Sequence, residues 1–390
     1  MGPRRCRDPF GMSGFEILTA GRVTFGRGRA GEAAGAIRAH GARVLLLRGS
    51  HPGADRLAAD LRGLGAEVEE IRQKGEPLLD DLDAVVARGR DMRAEVVAAL
   101  GGGSVIDMGK AAAALIPAPG GAMHHLEVVG EGRPLEAAPL PFVALPTTAG
   151  TGAEVTKNAV IGVPSHGRKV SLRDDRMLAD RAIIDPALTD GAPRAVTLAS
   201  GLDAVTQVIE PYLSCRATPF TDALCRDAIP RGLAALVRLM QGEDPGARDD
   251  LALTSLFGGL ALANAGLGAV HGFAGVLGGR TGAPHGALCG RLLPGVLRAN
   301  ADAVAGQGGD MTRHREVAGW IGAALGAKDD PLDALEAWMD DHGLPRLGPM
   351  GVDAAELADL AEASRASSSM RGNPVTLPTE TLEGVLRASL

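Results

Sequence analysis

Between residues 32 and 145 the chain repeats one arrangement: a short strand-like run follows each stretch of helical periodicity. Val44-Leu45-Leu46-Leu47, Val96 to Leu100 and Pro141 to Leu145 are apolar runs, and Glu67 to Ile71 reads as a second, more polar strand after the first. Glu32–His40, Asp55–Leu64 and Leu79–Arg90 are the helical stretches between and before them. A continuous aliphatic run is what a strand buried on both faces requires, and such strands belong to parallel sheets covered by helices. Aromatic residues make up only 3% of the chain and apolar residues 45%, so Ala, Val, Leu and Ile must build the core. That composition suits helices on a parallel sheet, and the pattern predicts a Rossmann-like, doubly wound α/β unit. Gly41 and Gly65 are expected to close the first two helices. Phe15 to Phe25 reads as a short hairpin turning at Gly21.

Beyond residue 190 the pattern becomes wholly helical. Ala195–Cys215, Thr221–Met240, Leu251–Leu267, Val270–Gly279, Gly286–Asn300, His314–Leu325, Pro331–His342 and Ala354–Ser364 carry helical periodicity. Asp185-Pro186 and Gly191-Ala192-Pro193 punctuate the change. The expected organisation is therefore an α/β dinucleotide-binding domain over 1–190 and an all-α metal and substrate domain over 191–390. Residues 1–11 read as a ragged extension, with Met12 an alternative start. Leu251 to Gly279 holds no charge over 29 positions, a membrane-like length, but eight of them are Gly and Asn264 and His271 lie inside. It reads as packed core.

The net charge of −7 and the lack of a basic block exclude a nucleic-acid footprint. Cys6, Cys215, Cys225 and Cys289 form no CxxC pair and read as free thiols of a reducing compartment. The basic start has no apolar segment behind it, so no secretory signal is expected. The expectation is a cytoplasmic protein with neither membrane nor nucleic acid as a partner.

Two glycine-rich turns carry the first chemistry. Gly101-Gly102-Gly103-Ser104 follows a strand and opens a helix, placing backbone N–H groups and a helix N-terminus where an anion such as a pyrophosphate would sit. A tight strand-to-helix turn alone would use the same residues. Asp107 reads either as a first-turn carboxylate complementing the helix dipole or as a contact to a cofactor hydroxyl. The second turn, Pro146 to Thr156, offers the hydroxyls of Thr147, Thr148 and Thr151 among small residues. Two such turns on one sheet suggest a dinucleotide across the switch crevice. The chain has only five lysines, and Lys110, Lys157 and Lys169 fall in or near these motifs.

The helical half supplies a second constellation. Asp203 and Gln207 are four apart, on one face of a helix. His271 and His285 are fourteen apart, and Pro284 makes His285 the opening of a new helix. A glycine follows each histidine and leaves space beside the imidazole. Two histidines and a carboxylate suit a divalent transition ion with an open position for substrate. His124, His125, His166 and His314 read as surface or loop residues.

GGGSVIDMGK and LPTTAGTGAEVTKNAVI resemble the two cofactor loops of the iron-containing alcohol dehydrogenase family, and the likeness extends from near Phe15 to at least Asn300. The resemblance implies the dehydroquinate synthase-like fold of that family, NAD(P)H bound by Gly102, Gly103, Ser104, Asp107, Thr147, Thr148 and Thr151, and Lys169 beside the nicotinamide ribose. It also implies Fe2+ or Zn2+ held by Asp203, Gln207, His271 and His285, with Asp203, His271 and His285 at the catalytic centre. The expected reaction is hydride transfer between nicotinamide and a small alcohol, aldehyde or ketone, in a homodimer or higher oligomer.

Three departures shape the expectation. Gln207 stands where the family usually has histidine, and Gly275 where many members carry a further histidine implicated in proton passage. Gly49 falls where NAD-preferring members often have Asp. Its lack of charge, with Arg48 and Ser50 beside it, predicts that NADP(H) is accepted and even preferred. Two relatives of this architecture remain as alternatives: a metal-independent maleylacetate reductase, and a dehydroquinate synthase-like lyase drawing on Arg280 and Arg291 as cations. A catalytically inactive nucleotide-binding homologue is a third.

Overall fold

The computed structural model of the chain describes residues 14–390; the extension expected over 1–11 and the start at Met12 lie outside the described residues. In chain order the strands are β1 (Arg22–Phe25), β2 (Arg43–Arg48), β3 (Glu67–Arg72), β4 (Val96–Gly101), β5 (Phe142–Pro146), β6 (Asn158–Val163), β7 (Arg168–Arg173) and β8 (Arg181–Ile184). Six of them form one sheet in the order β1-β8-β5-β4-β2-β3, every pair parallel. The aliphatic runs are buried in it as expected: Val44 to Leu47 and Val96 to Ala99 are inaccessible to solvent. Helices α1 (Ala33–Arg38), α2 (Gly53–Gly63), α3 (Leu79–Asp91) and α4 (Gly103–Leu115) make the crossovers. One sheet face packs Val44, Leu46, Val96 and Ala98 against Ile37, Leu57 and Leu61. The other face carries Leu45, Leu47, Val97 and Ala99 into the larger core shared with α3, α4 and the helical half. Strand order reverses between β2 and β4, so the crevice beyond their carboxyl ends is the switch point where α/β sheets bind ligands.

After Ile184 the described residues contain only helices and turns. They are α5 (Arg194–Leu213), α6 (Pro219–Gln241), α7 (Pro245–Ala265), α8 (Ala269–Thr281), α9 (His285–Gly306), α10 (Thr312–Leu325), α11 (Pro331–Asp341), α12 (Leu357–Arg365) and α13 (Thr379–Ala388). Helix α5 is buried along most of its length from Gly201 to Leu213. The uncharged segment 251–279 becomes α7 and α8, which meet at a 100° bend and line the core. No single described helix is long and apolar enough to cross a membrane.

Two local expectations are corrected. Phe15 to Phe25 is no hairpin: only Arg22–Phe25 is a strand, and it pairs in parallel with β8 at the sheet edge. Gly41 is not a left-handed cap. A Cβ there would lie 2.4 Å from the Cβ of Glu95, whose carboxylate accepts from the Ala42 N–H at 2.6 Å. Glycine at 41 therefore serves close approach, whereas Gly65, at φ 75°, is the left-handed residue expected. The antiparallel pair β6–β7 was not foreseen, and neither were β8 and α13. His125 lies in a turn as expected but is buried, its ring nitrogen Nδ1 3.0 Å from the Arg133 carbonyl oxygen.

Lys110, on the inner face of α4, is fully buried and donates to Ala153 O, Thr156 Oγ1 and Asn158 O at 2.7, 2.9 and 2.8 Å. It thereby ties the helix behind the first glycine turn to the second turn. Burial pushes the neighbouring Glu154 carboxyl up to about 7, from an ordinary 4.5. The folded state thus holds a proton that the unfolded chain releases, so this stabilisation is complete below pH 4.5 and is lost as pH rises through 7. Glu154→Gln should match the native protein at pH 4.5 and exceed it by about 1–3 kcal/mol at pH 8. Thermal melts across that range check it, and parallel pH profiles would contradict it.

Candidate functional site

Both glycine turns lie at the carboxyl ends of sheet strands and face each other. Gly102 has extended backbone before the first turn of α4. A Cβ on Gly103 would sit 2.8 Å from Thr151 Oγ1, and one on Gly102 3.3 Å from Thr148 Oγ1. The glycines thus let two hydroxyl-bearing residues close over a helix N-terminus, a cradle suited to a pyrophosphate. Thr147 anchors the second turn by donating its backbone N–H to Gly101 O at 2.9 Å. Gly49 continues β2 and donates its backbone N–H to Leu100 O at 3.0 Å, with exposed Ser50 next to it.

Two sequence readings change here. Asp107 is not in the first helical turn, which carries no acidic residue. It lies further along, where it accepts from the Val160 N–H at 3.0 Å, and burial raises its carboxyl to about 6. Arg48 is no free cation, because its Nη1 lies 2.5 Å from Asp55 and 2.8 Å from Glu70.

Opposite this cradle, α5, α8 and α9 converge. Asp203 comes from the middle of α5, His271 from the first turn of α8, and His285 opens α9 after Pro284. His271 Nε2 lies 3.4 Å and His285 Nε2 3.8 Å from Asp203 Oδ1. Asp203 Oδ1 and His271 Nε2 are buried and have no hydrogen-bond partner. Such atoms are costly unless something binds them. Burial pushes the Asp203 carboxyl up, but His285 and His271 outweigh it and hold it below the ordinary range. Buried acceptors converging on one point fit a divalent cation.

The glycines after the histidines serve packing more than open space. A Cβ on Gly286 would lie 2.2 Å from Ala199 O, so glycine lets α9 reach α5. Gly272 likewise faces Met370. Gln207, one turn beyond Asp203, lines the same cleft, and its Nε2 donates to the Thr151 carbonyl oxygen.

Two residues that the sequence reading passed over complete the cluster. Glu210 accepts from His271 Nδ1 at 2.6 Å and from the Val270 N–H at 2.7 Å. It fixes the imidazole so that Nε2 faces Asp203, and it caps α8. Its spacing from Asp203 and Gln207, on the same face of α5, was the available signal. Cys289, one turn after His285, brings Sγ to 3.6 Å from His285 Nε2. Candidate ligand atoms of Asp203, His271, His285 and Cys289 all lie within 4.8 Å of one another.

The cluster opens into a cavity of about 600 Å3 that also reaches Gly103, Ser104, Asp107, Thr151 and Lys169. Lys169 stands on β7, 3.6 Å from Glu76. Gly275 has nothing within 4 Å of its would-be Cβ, leaving open space where many members carry a further histidine. Arg280 and Arg291 are committed elsewhere, to Glu356 and to Asp340 with the Leu344 and Pro345 carbonyls. The cations that the lyase alternative drew on are thus absent from the cleft wall.

The family description "Iron-containing alcohol dehydrogenase" matches residues 20–186, and its C-terminal counterpart matches 197–390. The chain belongs to the iron-containing alcohol dehydrogenase family. It is 36% identical over 321 residues to the probable alcohol dehydrogenase EutG of Escherichia coli K12, covering 81% of this chain and 78% of that one. Lactaldehyde reductase of the same organism is 36% identical over 289 residues, 72% and 73% of the two chains. Among solved structures, 1,3-propanediol oxidoreductase superposes with a TM-score of 0.87 at 27% identity, covering 97% of this chain and all (100%) of the other. The protein is accordingly an oxidoreductase of an NAD(P)-linked, metal-dependent dehydrogenase family.

Outer carboxylates that orient a metal-binding imidazole contribute strongly to affinity. Glu210→Gln should weaken divalent-metal binding about 10–100-fold, measured by competition with a chelator, while circular dichroism stays native. Unchanged affinity would remove Glu210 from the site.

Proposed function

We propose that Asp203, His271 and His285 hold a divalent ion, and that this chain interconverts a small alcohol and its aldehyde or ketone with NAD(P)(H). The observation that carries the reading is the convergence of these three side chains, with His271 and His285 lining the cavity that ends at Gly103 and Ser104. When bound, the ion supplies Lewis acidity toward the substrate oxygen and the nicotinamide accepts or supplies the hydride. The chain's own residues do the positioning. Glu210 keeps His271 in one tautomer, and Gly102, Gly103 and Ser104 receive the pyrophosphate with Thr147, Thr148 and Thr151. Asp107 and Lys169 flank the ribose and nicotinamide end of the cleft. Gln207 links Asp203's helix to the cofactor turn through Thr151, beside the ion rather than as a strong ligand.

The division at residue 190 separates the cofactor half from the metal and substrate half in this reading, so the cleft lies between two domains. A homodimer or higher oligomer and a cytoplasmic location complete it. Cys215, Cys225 and Cys289 are free thiols, consistent with a reducing compartment.

Purified protein should oxidise NADPH in the presence of a carbonyl panel, lose that activity to a strong chelator and regain it with added divalent metal. Activity that survives both chelation and His271→Ala would point instead to the metal-independent maleylacetate reductase reading, which Gln207 and Gly275 keep open.

NADP(H) is accepted in this account because Gly49 presents no carboxylate to repel a 2′-phosphate and Ser50 offers a hydroxyl beside it. Arg48 contributes less than its charge suggests, since Asp55 and Glu70 share it. The kcat/KM values for NADPH and NADH should lie within about tenfold of each other or favour NADPH. A larger preference for NADH would contradict this.

A further inference from the structure

We propose that Cys289 is a thiolate ligand of the metal centre, standing in for the histidine displaced by Gln207, and that the resulting Asp-His-His-Cys set selects zinc over iron. The inference rests on the reading that Asp203, His271 and His285 hold a divalent ion, and it adds a fourth donor and the identity of the ion.

The geometry carries it. Ligand atoms 2.0–2.3 Å from a common centre form a tetrahedron with edges of roughly 3.3–3.8 Å. The measured edges are 3.4 Å from His271 Nε2 to Asp203 Oδ1, 3.8 Å from His285 Nε2 to Asp203 Oδ1, and 3.6 Å from Cys289 Sγ to His285 Nε2. The remaining separations stay within 4.8 Å. His285 and Cys289 are four residues apart on α9, so one helix face presents both toward Asp203 on α5. Cys289 is fully buried, and the two unpartnered polar atoms, Asp203 Oδ1 and His271 Nε2, belong to the same cluster.

Gln207 leaves the position open. Its amide nitrogen donates to Thr151 O, and a flipped amide would set two oxygens against each other. The amide is therefore held with its nitrogen toward the cofactor turn. Replacing a histidine by this arrangement removes one imidazole, and the thiol one turn along α9 supplies the missing donor. Metal entry displaces the thiol proton to solvent, so the bound sulfur is anionic. Thiolate is a soft donor that favours zinc over Fe(II), whereas carboxylate and imidazole alone discriminate between the two less, and the substrate oxygen would enter as a fifth ligand.

The test uses the full-length protein. Loaded in vitro with zinc, it should give an X-ray absorption fine-structure spectrum with one sulfur scatterer at about 2.3 Å beside nitrogen and oxygen at about 2.0–2.1 Å. Loaded with cobalt, it should show a near-ultraviolet thiolate-to-metal band. Cys289→Ser should lose both signals and bind zinc about a hundredfold less tightly. Its iron affinity should change far less, so the preference for zinc over Fe(II) collapses. Cys225→Ser, altering a buried thiol of α6 outside the cluster, should change none of these.

A spectrum of one bound zinc with only nitrogen and oxygen neighbours would overturn the Cys289 assignment while leaving the three-residue metal site intact. Failure of the wild-type protein to bind any divalent ion would overturn that site as well. A sulfur neighbour together with unaltered zinc-over-iron preference in Cys289→Ser would overturn the selectivity. Circular dichroism separates a folding defect in the variant from a lost ligand, and the wild-type spectra need no variant at all.

Discussion

The Glu210 carboxylate holds the metal end of the site together. One oxygen caps α8 at Val270 and the other receives the Nδ1 proton of His271. The same side chain therefore sets where α8 begins and which ring nitrogen of His271 is left for a ligand. Space for it exists because Gly268 has no Cβ; one there would fall 2.9 Å from Glu210 Oε1. Asn373 supports the corner from another direction, accepting from the Ala269 N–H and exchanging hydrogen bonds with Asn300 on α9. The sharp turn between α7 and α8 is thus a fixed element, and the imidazole it carries is pre-oriented before any ligand arrives.

The cofactor end depends on a different device, close approach of backbone. Gly102 and Gly103 admit Thr148 and Thr151, and the Lys110 ammonium binds two oxygens of the second turn and the Asn158 carbonyl at the start of β6 from beneath. A buried cation is costly unless its donors are satisfied, and here all three are. Thr151 then passes the constraint across the cleft, since its carbonyl receives the Gln207 amide from α5. The cofactor cradle and the Asp203 helix are consequently positioned against each other by direct hydrogen bonding. Hydride transfer demands such mutual positioning.

The sequence showed these parts unevenly, for physical reasons. Strands buried on both faces were legible because nothing but a parallel sheet accommodates runs such as Val44 to Leu47. The two glycine turns and the pair His271 and His285 were legible because their residue types have few other uses together. The β6–β7 pair was hidden because its outer positions are polar and its strands lie outside the main sheet. Gly41 was misread because a glycine after a helix serves equally as a left-handed cap or as clearance for a neighbour, here Glu95. Glu210 and Cys289 were missed for a common reason. Each lies one turn from a recognised site residue on the same helix face, and periodicity alone does not separate a site residue from packing.

The central claim is that one divalent ion, held between α5, α8 and α9, is required for alcohol–carbonyl interconversion. Metal-free protein titrated with a divalent ion while turnover is followed tests this most directly. The account predicts activity rising linearly to a break at one ion per chain, with Asp203→Ala showing neither the tight site nor the recovery. Full activity in the metal-free protein, unchanged on addition of metal, would contradict it.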